Sequence, residues 1–186
     1  MPSALIRRRL RRAGAGTARL RREEGGVAAI EFAVFAGLLS LALLNAADIA
    51  IYIYQRMQVE NATEMAAQAA SKNCDFSQVP ATTSCPGLMI ALTKALQSTS
   101  LGSKVSLQSG SPSEGYYCLN ASNALQYVSD VSTRPSDCSA TGMPSLQPGD
   151  YIRVSSTFSY TPLFPGITVA GAFITPIQRT AIMRLE

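Results

Sequence analysis

Arg21-Arg22-Glu23-Glu24-Gly25-Gly26-Val27-Ala28-Ala29-Ile30-Glu31-Phe32 opens the stretch that decides the fold. A basic leader ends at a glycine, an apolar run begins at once, and one carboxylate, Glu31, stands at the fifth position after that glycine. The run stays almost wholly apolar to Tyr54, and from Phe32 to Ala47 sixteen consecutive residues carry no charge. As a helix, residues 27–54 span roughly 42 Å, enough to cross a bilayer, whereas the uncharged centre alone covers about 24 Å. Glu31 and Asp48 must therefore lie near the two edges of the hydrocarbon or be neutralised by partners inside it. Tyr52 and Tyr54 follow, amphipathic rings of the kind placed at a membrane surface.

Outward from this stretch, charge is distributed unevenly. Eight of the 16 Lys and Arg residues precede residue 23, but only Glu23 and Glu24 of the 12 acidic residues fall before Val27, so the chain from Val27 onward has a net charge of −2. The overall +4 describes the leader, and the remainder offers no basic surface for nucleic acid. Arginines before the span and their scarcity just after it place the N-terminus in the cytoplasm and the bulk of the chain outside. A cleaved secretory signal has the same basic-then-apolar order, but no Ala-x-Ala pair closes this apolar run. An uncleaved anchor is the second possibility, and processing at the start of the run is the third.

The helical pattern continues beyond the span. Residues 51–72 lack Pro and Gly, and Met57, Ala62, Met65, Ala66, Ala69 and Ala70 form an expected apolar face of small residues, so one helix is predicted from about Val27 to Asn73. The expected divisions are a leader over 1–26, helical and without a fixed place, a membrane helix over 27–54, its extracytoplasmic continuation over 55–73, and an α+β domain over 74–186. In that domain a short helix is predicted over 87–97, with Leu88, Leu92, Ala95 and Leu96 inward. Strands are predicted over 104–108, 116–119, 150–160 and 178–185. Their hairpin-like succession favours an antiparallel sheet packed against the long helix.

Histidine is absent, which removes Ser-His-Asp and Cys-His catalysis and a histidine metal site. The outer acidic residues Glu114, Asp130, Asp137 and Asp150 sit in no hydrolase motif, so neither catalysis nor a cofactor nor a metal is expected. Cys74, Cys85, Cys118 and Cys138 form no Cys-x-x-Cys pair. In an exported domain their even number points to two disulfides, with four separate buried thiols as the alternative. Three connectivities are open. The expected pairs are Cys74 with Cys85 and Cys118 with Cys138, because each closes a short Ser/Pro-rich loop.

The glycine, the apolar helix and the carboxylate five residues on resemble the class III signal of type IV pilins, which a prepilin peptidase cuts after the glycine. The resemblance extends to the segment Tyr54-Gln55-Arg56-Met57-Gln58-Val59-Glu60-Asn61-Ala62. It also takes in Tyr160-Thr161-Pro162-Leu163-Phe164-Pro165 and the closing Ala181-Ile182-Met183-Arg184. Together these are similar to the TadE-like family of minor pilins, or pseudopilins, of the tight-adherence (Flp) pilus, closely over about residues 20–72 and loosely over 150–186.

That resemblance implies a type IV pilin-like fold and a structural subunit for adhesion and biofilm formation. Its implied partners are a prepilin peptidase, other pilins, inner-membrane assembly-platform proteins and membrane lipid. It implies cleavage between Gly26 and Val27, and pairing of Glu31, beside Phe32, with the new N-terminal amine of a neighbouring subunit. A carboxylate that snorkels to the cytoplasmic headgroups is the other reading of Glu31. Asn45, Asp48, Tyr52 and Arg56 share one helix side by steps of three and four. Two readings are open for them: Asp48 marks the outer membrane boundary, or the face meets a partner helix. The alternative to the pilin reading as a whole is an uncleaved, membrane-anchored binding module.

Overall fold

The computed structural model describes residues 3–74, 79–173 and 175–185, with side chains from Gly26 onward. Residues 3–25 of the leader are helical, continuous with the segment that follows, and only their side chains fall outside the description. One helix, α1 (Ser3–Asn73), runs for 71 residues. No proline interrupts it between Pro2 and Pro80. Its end is marked by Lys72 in the last turn, favourable at the negative end of the helix dipole, and by the Asn73 side-chain amide, which donates to the Ala69 carbonyl at 2.7 Å.

The second half of α1 is the spine of an α+β domain. Val59, Ala62, Thr63, Ala66, Ala67 and Ala70 are buried, returning every three or four residues to one face. This corrects the expected face in part. Met57 and Met65 are exposed, because they lie well round the helix from the line through Ala62, Ala66 and Ala70, and Val59, Thr63 and Ala67 complete the inward side instead. Alanine at these contacts lets the helix approach its neighbours closely.

Two elements flank that face. The short α2 (Ala81–Ser84) leads to α3 (Leu88–Leu96), which packs on α1 through Leu88, Leu92 and Leu96. Full burial of one such leucine is worth about 1.5–3 kcal/mol. Against the other flank lies one antiparallel sheet of β1 (Val105–Leu107), β2 (Ser113–Leu119), β3 (Leu125–Asp130), β4 (Gly149–Phe158) and β5 (Ile177–Arg184). The long β4 is central. It pairs with β1 and β2 on one side and with β5 on the other, in a register from Tyr151 opposite Arg184 to Phe158 opposite Ile177. Alternate residues Ile152, Val154, Ser156 and Phe158 of β4 are buried, as a strand with one face on a core requires.

The disulfides close Cys74–Cys85, 11 residues apart, and Cys118–Cys138, 20 residues apart. Closing short loops of this kind stabilises a domain by about 2–4 kcal/mol. The first ties the end of α1 to the start of the α2–α3 segment. Glu114 on β2 reinforces that tie, accepting hydrogen bonds from the Ala81 and Thr82 amides, both at 2.8 Å.

One polar contact crosses the core. Thr63 Oγ1 donates to the Val59 carbonyl at 2.6 Å, so its oxygen accepts the hydroxyl proton of Ser156 on β4. Both residues are buried, and the two hydroxyls satisfy each other where water does not reach. Removing one partner leaves the other's polar group unmatched, whereas removing both leaves a matched apolar contact. Thermal unfolding of the full chain in detergent should therefore show Thr63→Val destabilising by about 1–3 kcal/mol and Ser156→Ala by about 1 kcal/mol. The Thr63→Val/Ser156→Ala double variant should be less destabilised than the sum of the two, and strict additivity would show that the hydroxyls do not interact.

Candidate functional site

Helix α1 divides into two physically different parts at Asn45. From Gly26 to Leu44 no residue is buried, and Val27, Ile30, Phe32, Val34, Phe35, Leu38, Leu39 and Leu43 are all largely exposed. The segment is long and apolar enough to cross a membrane. Gly26, Val27, Glu31 and Phe32, the processing and assembly residues expected from the sequence, all lie on this free part. A Cβ added at Gly26 would meet nothing within 4 Å.

At Asn45 the domain reaches the helix. The connection from β4 to β5 runs through Tyr160-Thr161-Pro162-Leu163-Phe164-Pro165-Gly166 and a 3-10 turn (Val169–Ala172), and it folds back over Asn45, Asp48 and Tyr52. Asp48 is completely buried. Its Oδ1 accepts the Leu163 amide at 2.8 Å, and its Oδ2 accepts the Phe164 amide at 3.3 Å and the Thr168 hydroxyl. The Tyr160 hydroxyl donates to the Asp48 carbonyl at 3.3 Å. One turn earlier, Asn45 Oδ1 accepts the Val169 amide at 2.9 Å while its Nδ2 donates to the Leu41 carbonyl at 2.8 Å.

The bend that presents these donors follows from the local sequence. Pro162 and Pro165 fix φ and carry no N–H, and Gly166 takes the left-handed conformation, φ 80°. The amides of Leu163 and Phe164, between the two prolines, converge on one carboxylate. Tyr52 completes the contact with its ring edge-on to Tyr160, centroids 5.0 Å apart, and against Phe173 at 4.6 Å. Burial, followed by the nearby Asp48 carboxylate and then Tyr52, raises the Tyr160 phenol above the ordinary tyrosine range. A raised phenol favours the folded state below its unfolded value of about 10 and loses that contribution as pH climbs through the folded value.

On this helix side the structure shows a contact that neither reading named: the face of Asn45, Asp48 and Tyr52 is occupied within the chain. Its occupant is the chain's own loop, because two backbone amides and a hydroxyl match the carboxylate better than any apolar helix surface does. Arg56 stands apart from this contact. It is exposed and lines a shallow groove with Tyr52, Ile177 and Arg179.

Other polar features are structural. Asn120, the first residue of an Asn-Ala-Ser triplet, spends its side-chain oxygen on the Ser122 and Ala124 amides, both at 3.0 Å, closing the β2–β3 turn. Asp130 and Asp137 cap turns through Ser132 and Ser139, and these hydrogen bonds hold both carboxyls below the usual range. Among the described residues no cluster of Cys, Asp and Glu could hold a metal ion.

An exposed helix long and apolar enough to cross a membrane thus leads into a disulfide-bonded α+β domain that is clasped to the same helix. Residues 26–68, the exposed helix and most of its docked continuation, match the family model for TadE-like protein. The match begins at Gly26 and ends on the buried alanine face, and the looser likeness over 150–186 lies outside it. No curated protein and no solved structure matches the chain. Proteins of that family are associated with the Tad pilus.

Asp48→Asn tests the clasp. Asparagine keeps the shape but presents one acceptor and an N–H₂, so a donor would face a donor at the Leu163 or Phe164 amide. Limited proteolysis of the detergent-solubilised chain should cut within 160–173 several-fold faster in Asp48→Asn than in the parent. Asn45→Ala, which removes a single acceptor, should have a smaller effect.

Proposed function

We propose that the chain is a minor pilin, or pseudopilin, required for assembly of a tight-adherence (Flp) pilus used in surface adhesion and biofilm formation. It crosses the bacterial inner membrane once, with the arginine-rich leader in the cytoplasm and the domain in the periplasm. A prepilin peptidase cuts between Gly26 and Val27, and the mature subunit is built into the pilus or its assembly platform. The observation that carries this reading is the TadE-like match starting at Gly26, on a helix of which no residue from 26 to 44 is buried.

The chemistry is consistent with that order of events. Each glycine in a helix costs about 1 kcal/mol relative to alanine, so Gly25-Gly26 is the easiest place for a peptidase to open the backbone. Cleavage leaves Val27 with a free amine, and Glu31, one turn further on, is exposed on the same helix. A carboxylate and an ammonium that meet at the membrane edge each avoid part of the desolvation cost of standing there alone. Glu31 thereby sets the register between neighbouring helices. The domain needs no catalytic group for this role.

Intact mass and terminal sequencing of the membrane-extracted protein, co-expressed with and without a prepilin peptidase, test the reading. The expected product begins at Val27 only with the peptidase and is lost in Gly26→Leu. Glu31→Ala should still be cut but should fail to enter pili. A chain that remains uncut under both conditions would leave a membrane-anchored binding module in place of a prepilin.

A further inference from the structure

The loop that buries Asp48 leaves its own apolar side chains uncovered. Leu163, Ile167 and Val169 are each 57% exposed, side by side at the level of Asn45. No charged residue occurs from Val154 to Gln178, the longest such run in the domain and one that includes the whole β4–β5 connection. The β2–β3 turn, at the other end of the sheet, is built from Asn120, Ala121, Ser122 and Asn123.

The loop's backbone is also largely self-satisfied. Pro162 and Pro165 have no N–H to match. The Leu163 and Phe164 amides go to Asp48, the Ile167 and Thr168 amides to the Phe164 carbonyl at 3.2 and 3.3 Å, and the Val169 amide to Asn45. Exposed apolar side chains on a backbone whose donors are used internally are what a segment in contact with hydrocarbon requires, since lipid supplies no hydrogen bonds. A water-facing loop has no need of that economy.

Position agrees with composition. From Val27 to Asn45 the helix rises about 27 Å, close to the hydrocarbon thickness of about 30 Å. The loop therefore meets the helix where the lipid-exposed surface of the helix ends, and its Leu163, Ile167 and Val169 side chains are exposed there.

We infer that residues 162–169 form a lipid-contacting tip, seated in the periplasmic leaflet of the membrane that holds α1, with Asp48 and Asn45 shielded beneath it. The inference rests on the membrane-spanning reading above and adds a second lipid contact to it. Asp48 then sits within the interfacial layer as part of a closed hydrogen-bonded unit. The domain is held at a fixed tilt and height over the bilayer until the subunit leaves the membrane.

The chain has no tryptophan, so a single one can be placed as a reporter. Leu163→Trp, Ile167→Trp and Val169→Trp report on the loop, Leu39→Trp on the helix, and Tyr127→Trp on the exposed distal strand β3. Each full-length variant is reconstituted in phosphatidylcholine vesicles with and without acyl chains brominated near the glycerol. The expected result is blue-shifted emission and at least twofold quenching by brominated lipid for the three loop variants, and none for Tyr127→Trp. Quenching of Leu39→Trp by chains brominated toward the bilayer centre, with loop variants that are unquenched and red-shifted, overturns the loop's lipid contact and leaves the membrane span intact. Loop emission that is blue-shifted but unquenched overturns it too, and points to a second copy of the chain covering the tip. If Leu39→Trp is unquenched by either lipid, the membrane reading fails and the inference with it.

Discussion

A buried carboxylate must be matched by donors, and the match at Asp48 organises the rest of this molecule. A completely buried aspartate on an otherwise apolar stretch of helix would be strongly destabilising alone. Here the Leu163 and Phe164 amides and the Thr168 hydroxyl meet it, and each must come from a chain segment more than a hundred residues away. That requirement fixes the path of the β4–β5 connection and with it the end of β4, the start of β5 and the aromatic group of Tyr52, Tyr160 and Phe173. The second polar attachment, Thr63 to Ser156, lies 15 residues further along the helix, about 22 Å away. Val59 and Ala62 between the two, and Ala66, Ala67 and Ala70 beyond Thr63, bring the helix close to its neighbours. The polar contacts thus set position, and the apolar burial around them supplies the affinity.

The division of labour along α1 follows from this. Residues from Asn45 onward are committed to the domain, and the 26–44 segment has no role in its core. That free segment carries Gly26 at its start, an apolar surface long enough to cross a membrane and one carboxylate, Glu31. The TadE-like match covers both parts and stops where the helix is fully docked, so the family pattern records the helix together with its docking face.

Much of this was legible in the sequence, and the exceptions have physical reasons. The long helix, α3, β4 and β5 were readable because each buries one face and so carries the period of its backbone. Strand β3 was not, because it is an edge strand with Leu125 and Tyr127 largely exposed and no buried alternation to see. The four-residue α2 is too short for periodicity and depends on Glu114, 32 residues away, for the match to its first amides. The methionines misled because alanine and methionine are equally compatible with a helix, and only the neighbouring α3 and sheet decide which side is inward. Spacing placed Asn45, Asp48 and Tyr52 on one side, but it could not name their partner. The signal that would have found it is the run Thr161-Pro162-Leu163-Phe164-Pro165-Gly166, whose two prolines and glycine force a bend that presents consecutive amides.

Amide hydrogen exchange at single-residue resolution on the detergent-solubilised chain reads the Asp48 contact itself. The amides of Leu163, Phe164 and Val169 should exchange far more slowly than an unstructured peptide, with protection comparable to the β4–β5 ladder, because they are bound to Asp48 and Asn45 and move only when the domain opens. Free exchange at those three amides alongside a protected β4–β5 ladder would show a folded domain whose loop is not clasped to the helix, and would contradict that contact.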